Sequence, residues 1–441
     1  MTTFRWVALA FLLPFALGSC TKKDPVVPID GPEPTEETVA PVSFEFEELI
    51  SAQVERQRLQ LNWLATDFST TGLYAPAFST IKIQVEQMAG ARLPQLLIGT
   101  YSRYGGWNSE PAVFALSPGE NEFTISGQGL IWVRYTTDGT PDSKAKLTFT
   151  AGFRPVPHYQ YGKTTNTEWI KMLNDLNTVP DVVLEGEKCY IVVSRQSAIA
   201  HQHFNQDELL KKISRIVTIE DDYSGLDGSS ERDKPNAHKK YLLTQHEDPS
   251  YYMFAYNYRT AYTGSAISTI LNPVDVTWGP WHELGHLHQQ IWTWPAISEV
   301  TVNIFSRAVQ REFTPHENRL VIDRVWEKVP IYLARSAAEK DFNSDAVLDV
   351  WVRLCMFEQL RLAFGEDFYP NLHKKVRLDR PVFSNNDQKM DYFMKTACEV
   401  SGANLSGFFR AWGLHTSSAV YADMDTMGLP VPDTDLTLLK D

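Results

Sequence analysis

The chain has 441 residues, of which 43% are apolar and 22% charged, an ordinary globular composition long enough for two or three domains. A formal net charge of −13 excludes a nucleic-acid partner, because binding a polyanion needs clustered cations to neutralise phosphates. Four cysteines without a CxxC pair exclude a disulfide framework, so the fold must rest on its core.

Residues 1–20 read as a lipoprotein signal peptide. Arg5 gives a positive start, and the apolar stretch over 6–17 is shorter than the roughly twenty residues a spanning helix needs. Leu17-Gly18-Ser19-Cys20 resembles the bacterial lipobox, which implies lipidation of Cys20. The membrane would then be met only through an N-terminal lipid, at the bacterial outer membrane or cell surface. Residues 21–42 are rich in Pro and acid and poor in bulky apolar groups, the composition of a disordered tether.

From 44 to 64 the apolar residues Leu49, Ile50, Val54, Leu59, Leu61 and Leu64 predict a helix. From 72 to 150 the period shortens to two: Ile81, Ile83 and Val85 alternate with Lys82, Gln84 and Glu86, and turn signals such as Asp138-Gly139 separate further short runs. This predicts an N-terminal β-sandwich domain over 43–155. The remainder, 156–441, is mostly helical, with helices predicted at 167–176, 207–221, within 280–364 and at 389–400, and strands at 189–193 and 251–256. Cys189, Cys355 and Cys398 lack metal-ligand spacing; they are expected as buried apolar residues or one bridge, with Cys355–Cys398 the preferred pair.

The chemistry centres on Trp281-His282-Glu283-Leu284-Gly285-His286-Leu287-His288, which contains H-E-x-x-H. Residues four apart share a helix face, so His282 and His286 can offer ring nitrogens to one Zn2+, while Glu283 stands ready as general base for an attacking water. Pro280 suits the first turn of that helix. A catalytic zinc needs a third protein ligand, and the longer histidine motif is missing, since Gln289 and Trp292 occupy its later positions. Glu299, near the start of the next predicted helix and expected to point into the core, is the preferred ligand over Glu312, which stands beside Arg311 in a polar stretch. Alone, Glu299 would read as a residue favouring its own helix dipole. His288 follows His286 by two residues, about 200° around a helix, so it is expected to pack or support rather than ligate. Trp281, Trp292 and Trp294 suit either a cleft floor or the core.

These residues resemble the enhancin-like, mucin-degrading zinc metallopeptidases, peptidase family M60, across nearly all of the mature chain. The resemblance is carried by Thr71-Gly72-Leu73-Tyr74-Ala75-Pro76-Ala77, Gly129-Leu130-Ile131-Trp132-Val133, the H-E-x-x-H helix followed by Glu299-Val300-Thr301-Val302-Asn303, and Leu405-Ser406-Gly407-Phe408-Phe409. It implies an α+β multidomain protein, an N-terminal β-sandwich followed by a mostly helical zincin domain of the gluzincin type, with Glu299 as the third ligand. It also implies an endopeptidase acting on mucin-type O-glycosylated proteins. One departure is Phe78, where the family often has Gly. A monomer is expected. Two alternatives stay open: a peptidase without glycan dependence, and a surface glycan-binding lipoprotein with a vestigial site.

Overall fold

Val42-Ser43-Phe44-Glu45-Phe46-Glu47 alternates apolar and polar residues, and it forms a strand where the longer apolar spacing predicts a helix. The computed structural model describes residues 40–345 and 348–441; the expected signal peptide with Cys20, and the tether up to residue 39, lie outside the described residues. The predicted 44–64 helix is thus corrected to β1 (Val42–Glu47), β2 (Leu49–Ile50) and a short α1 (Ala52–Leu59). Ser51 caps α1 by accepting a hydrogen bond from Val54 N–H, and Gln60 ends it in a left-handed conformation.

The strands β3 (Ser69–Ala75), β4 (Thr80–Ala89), β5 (Gln95–Ile98), β6 (Ala112–Ala115), β7 (Gly119–Thr124), β8 (Gly129–Arg134), β9 (Thr136–Thr137), β10 (Lys144–Ala151) and β11 (Arg154–Pro155) follow. They form two antiparallel sheets, ordered β1-β10-β4-β7 and β11-β3-β8-β5-β6, while β2 and β9 make a small parallel pair. The expected sandwich is present, because Ile81, Ile83, Val85, Leu147 and Phe149 of the first sheet pack against Leu73, Leu96, Ile98, Ile131 and Val133 of the second.

β8 is apolar without alternation because both its faces are covered. Leu97, Leu130 and Trp132 on the outer face of the second sheet pack on Val183, Tyr190, Val192 and Leu242 of a third sheet. That sheet is built from β12 (His158–Gln160), β13 (Asp181–Glu185), β14 (Cys189–Ser194), β15 (Tyr241–His246), β16 (Met253–Tyr256) and β17 (Arg259–Thr263), in the order β12-β13-β14-β15-β17-β16. Between its strands run α2 (Asn166–Asp175), α3 (Arg195–Ala200) and α4 (Gln206–Tyr223). Polar bonds reinforce the seam: Asp181 Oδ1 accepts from Arg103 Nε at 2.9 Å and from Tyr104 O–H at 2.8 Å. The described residues consequently cohere as one compact unit.

The other face of the third sheet carries the largest core, shared with α5 (Trp278–His286), α6 (Ser298–Phe313), α7 (Arg319–Ile322), α8 (Val329–Leu333), α9 (Val350–Phe364), α10 (Phe368–Asp379), α11 (Asn386–Ser401), α12 (Ser406–Ala411) and α13 (Ser418–Thr426). Trp281, Trp292 and Trp294 are buried in this core, not in a cleft floor. The preferred Cys355–Cys398 bridge does not form: all three cysteines are free and buried, packed as apolar residues. Burial raises the Cys189 thiol to about 12 and the Cys398 thiol to about 11. Among the described residues no helix is long and apolar enough to cross a membrane.

Candidate metal centre

α5 starts at Trp278 with Pro280 in its first turn, where a missing N–H costs nothing. It lies close against α6 because residue 285 is glycine: a Cβ there would stand 3.2 Å from Phe305 Cβ and from the Val302 carbonyl oxygen. This approach lets one carboxylate of α6 reach both histidines. Glu299 Oε2 lies 3.0 Å from His282 Nε2 and 3.5 Å from His286 Nε2, and the three residues can bring donor atoms within 4.8 Å of one another.

Two amides that the sequence reading did not single out set the imidazole tautomers. Asn303 Nδ2 donates to Glu299 O at 2.8 Å, so its Oδ1 must face His282 Nδ1, 2.9 Å away. Gln289 Nε2 donates to Ser298 O and Thr301 Oγ1 at 2.7 and 2.8 Å, so its Oε1 faces His286 Nδ1 at 2.7 Å. Both Nδ1 atoms therefore carry the proton, and both Nε2 lone pairs turn towards Glu299. Three acceptor atoms converging on one point require cationic charge between them, and two imidazoles with one carboxylate are a donor set suited to Zn2+. The spacing signal was available: Asn303 falls four residues after Glu299, and Gln289 three after His286.

The electrostatics agree with this geometry. Contact with His282 and His286 holds the Glu299 carboxyl well below the usual carboxylate range, as positive charge at the same point would. At His282, burial pulls the pKa down, but the contacts with Glu299 and Glu283 outweigh it and the net shift is upward. Glu283 is only 7% exposed, and burial raises its pKa against the lowering influence of the two histidines. A carboxylate so raised is a better proton acceptor.

The core position expected for Glu299 is corrected: its side chain is 60% exposed, at the open rim of the cluster. Glu312 lies outside the cluster and pairs with Arg215 at 3.1 Å rather than with its neighbour Arg311. His288 faces away from the cluster; its Nε2 lies 3.2 Å from Asp221 Oδ1 and its Nδ1 3.2 Å from Glu220 Oε2, both on α4. Behind α5, β16 is the edge strand of its sheet, with Met253 Sδ 2.7 Å from where a Cβ on Gly279 would lie.

A sandwich packed on a mixed sheet, with two histidines, a rim glutamate and a buried glutamate gathered on adjacent helices, is the arrangement of a metallopeptidase. The family model for peptidase M60, enhancin and enhancin-like, matches residues 152–413, and that for the N-terminal domain of M60-like peptidases matches residues 51–150. The chain belongs to the M60 family. A functionally unknown conserved protein from Bacillus anthracis str. Ames is 31% identical, with a TM-score of 0.79 over 91% of this chain and 82% of that one. The M60 catalytic domain of Clostridium perfringens ZmpC, solved in complex with the sialyl T antigen, is 19% identical with a TM-score of 0.74, covering 90% of this chain and 81% of that one; this likeness shows the fold. TRPM8 channel-associated factor 3 of Rattus norvegicus is 33% identical over 150 residues, which are 32% of this chain and 16% of that protein. The chain therefore spans a small part of that relative's length.

Proposed function

We propose that this chain is a zinc-dependent endopeptidase that cleaves O-glycosylated proteins, mucins among them, with His282, His286 and Glu299 as the zinc ligands and Glu283 as general base. The observation that carries the reading is the convergence of two Nε2 lone pairs and the Glu299 carboxylate within 4.8 Å, beside a buried Glu283 of raised pKa. Bound zinc supplies Lewis-acid activation of the attacking water and the scissile carbonyl. Glu283 takes the proton from that water and passes it to the leaving amine. Asn303 and Gln289 keep both imidazoles in the ligating tautomer. The outer edge of β16 leaves backbone donors and acceptors free for an extended peptide lying beside α5.

A glycoprotein substrate is supported by family membership and by the sialyl T antigen in the ZmpC complex. In the same reading the protein works as a monomer held at the bacterial surface by a lipid on Cys20, which rests on the Leu17–Cys20 sequence. The test is Glu283→Gln, assayed on an O-glycosylated peptide and on the bare peptide of identical sequence. Zinc should stay bound while cleavage of the glycopeptide falls by ~10²–10⁴-fold, and the bare peptide should be the poorer substrate of the native enzyme. Undiminished cleavage by the variant would sink the assignment; equal cleavage of both peptides would remove the glycan from it.

A further inference from the structure

A groove of about 670 Å³ opens between the end of α1, the chain just past α5 and the turn joining α10 to α11. Its volume falls within the ~300–1,000 Å³ range of small-ligand sites. Arg56, Arg380 and Lys389 line it, and no acidic side chain does. Arg56 and Lys389 are half-buried and Arg380 is exposed, in a chain of net charge −13 where most half-buried cations are held by carboxylates. Among the described residues none of the three forms an ion pair; Arg56 NH1 donates to Asn62 O at 3.4 Å, and Lys389 Nζ to Thr293 O at 2.8 Å.

Two further features point to a ligand rather than to bare surface. Gln60 is 8% exposed, lines the groove, and leaves its Oε1 without a hydrogen-bond partner. A buried acceptor of that kind costs free energy unless a donor reaches it. Lys389 is subject to a desolvation that lowers its pKa with no carboxylate to offset it. Phe383 adds a half-buried ring to the wall, stacked edgewise on Tyr392 with centroids 5.5 Å apart. Cations and an aromatic face together match an acidic sugar: the cations meet its carboxylate, and the ring covers an apolar C–H face.

We propose that this groove binds a carboxylate-bearing saccharide, at a site separate from the metal centre. The two are linked through the backbone: Asn62 N–H donates to Gln289 O at 3.0 Å, and Gln289 Oε1 accepts from His286. The groove thus holds an acidic glycan of a substrate while another part of that substrate meets α5. Binding itself requires no hydrolysis, so its failure and that of the peptidase reading can be told apart.

The experiment is calorimetric titration of the full Glu283→Gln chain with 3′-sialyllactose, with lactose, and with triglutamate. Binding of sialyllactose alone is expected, weakening about tenfold or more in Arg56→Gln/Arg380→Gln and recovering with Arg380→Lys, with the thermal midpoint unchanged throughout. No binding, equal binding of lactose, equal binding of triglutamate, or an affinity unmoved by the double substitution would each overturn the proposal.

Discussion

In the proposed centre Asn303 and Gln289 support the ligands, because an imidazole ligates only in the tautomer that frees its Nε2 lone pair. Asn303→Ala should therefore weaken zinc binding by about 10–100-fold with the fold retained, read by competition with a chromophoric chelator. A second residue-scale consequence lies far from the site. Phe78 sits at φ 60° with its ring 79% exposed, so it holds a left-handed conformation without the compensation of burial. Such a residue costs about 1–2 kcal/mol, partly returned by the lower entropy its side chain gives the unfolded chain. Phe78→Gly should stabilise the protein by about 0.5–1 kcal/mol, seen as a higher urea midpoint. The departure from the family's glycine thus marks a strained turn and leaves the metal centre untouched.

Among the elements, those with one clean period were readable and those under two influences were not. α2, α4 and α11 form within a few residues of their predicted bounds, each capped by an Asn or Thr side chain. β1 was missed because Leu49, Ile50 and Val54 extend the apolar spacing past Glu47, although Val42 to Glu47 alternates strictly and pairs along β10. Helical spacing can arise by juxtaposing a strand, a turn and a short helix. Glu185, on β13, illustrates what topology adds. Burial would raise its carboxyl, but His158 at 3.0 Å and Lys240 outweigh that and hold it at about 2, against an ordinary 4.5. A depressed folded-state value means the stabilisation is present above 4.5 and is lost as pH falls towards 2. Glu185→Gln should flatten the fall in thermal midpoint across that window; an unchanged acid limb would contradict it.

At the scale of the whole molecule, the sequence separates a sandwich from a helical part, and among the described residues the two pack into one compact unit. The uninterrupted apolar run Leu130-Ile131-Trp132-Val133 was the available sign, since a strand covered on both faces has no polar side to alternate. Arg103 and Tyr104 meeting Asp181 could not be foreseen, because 77 or more residues separate the partners. The candidate metal cluster was the most legible part: His282, Glu283 and His286 lie within one turn or so of helix, and only the placement of Glu299 depended on how α5 and α6 pack. The exposed rim position of that glutamate was not legible, for local apolar neighbours said nothing of which side the cleft opens on.

In the proposed enzyme His282, His286 and Glu299 hold one catalytic zinc. The most direct test of this measures metal content and glycopeptide cleavage together, before chelation, after it, and after zinc is restored. One zinc per chain, with activity lost on chelation and regained on restoring zinc, and with no stoichiometric zinc in Glu299→Ala, is the predicted result. A metal-free protein that still cleaves, or full zinc occupancy in Glu299→Ala, would contradict it.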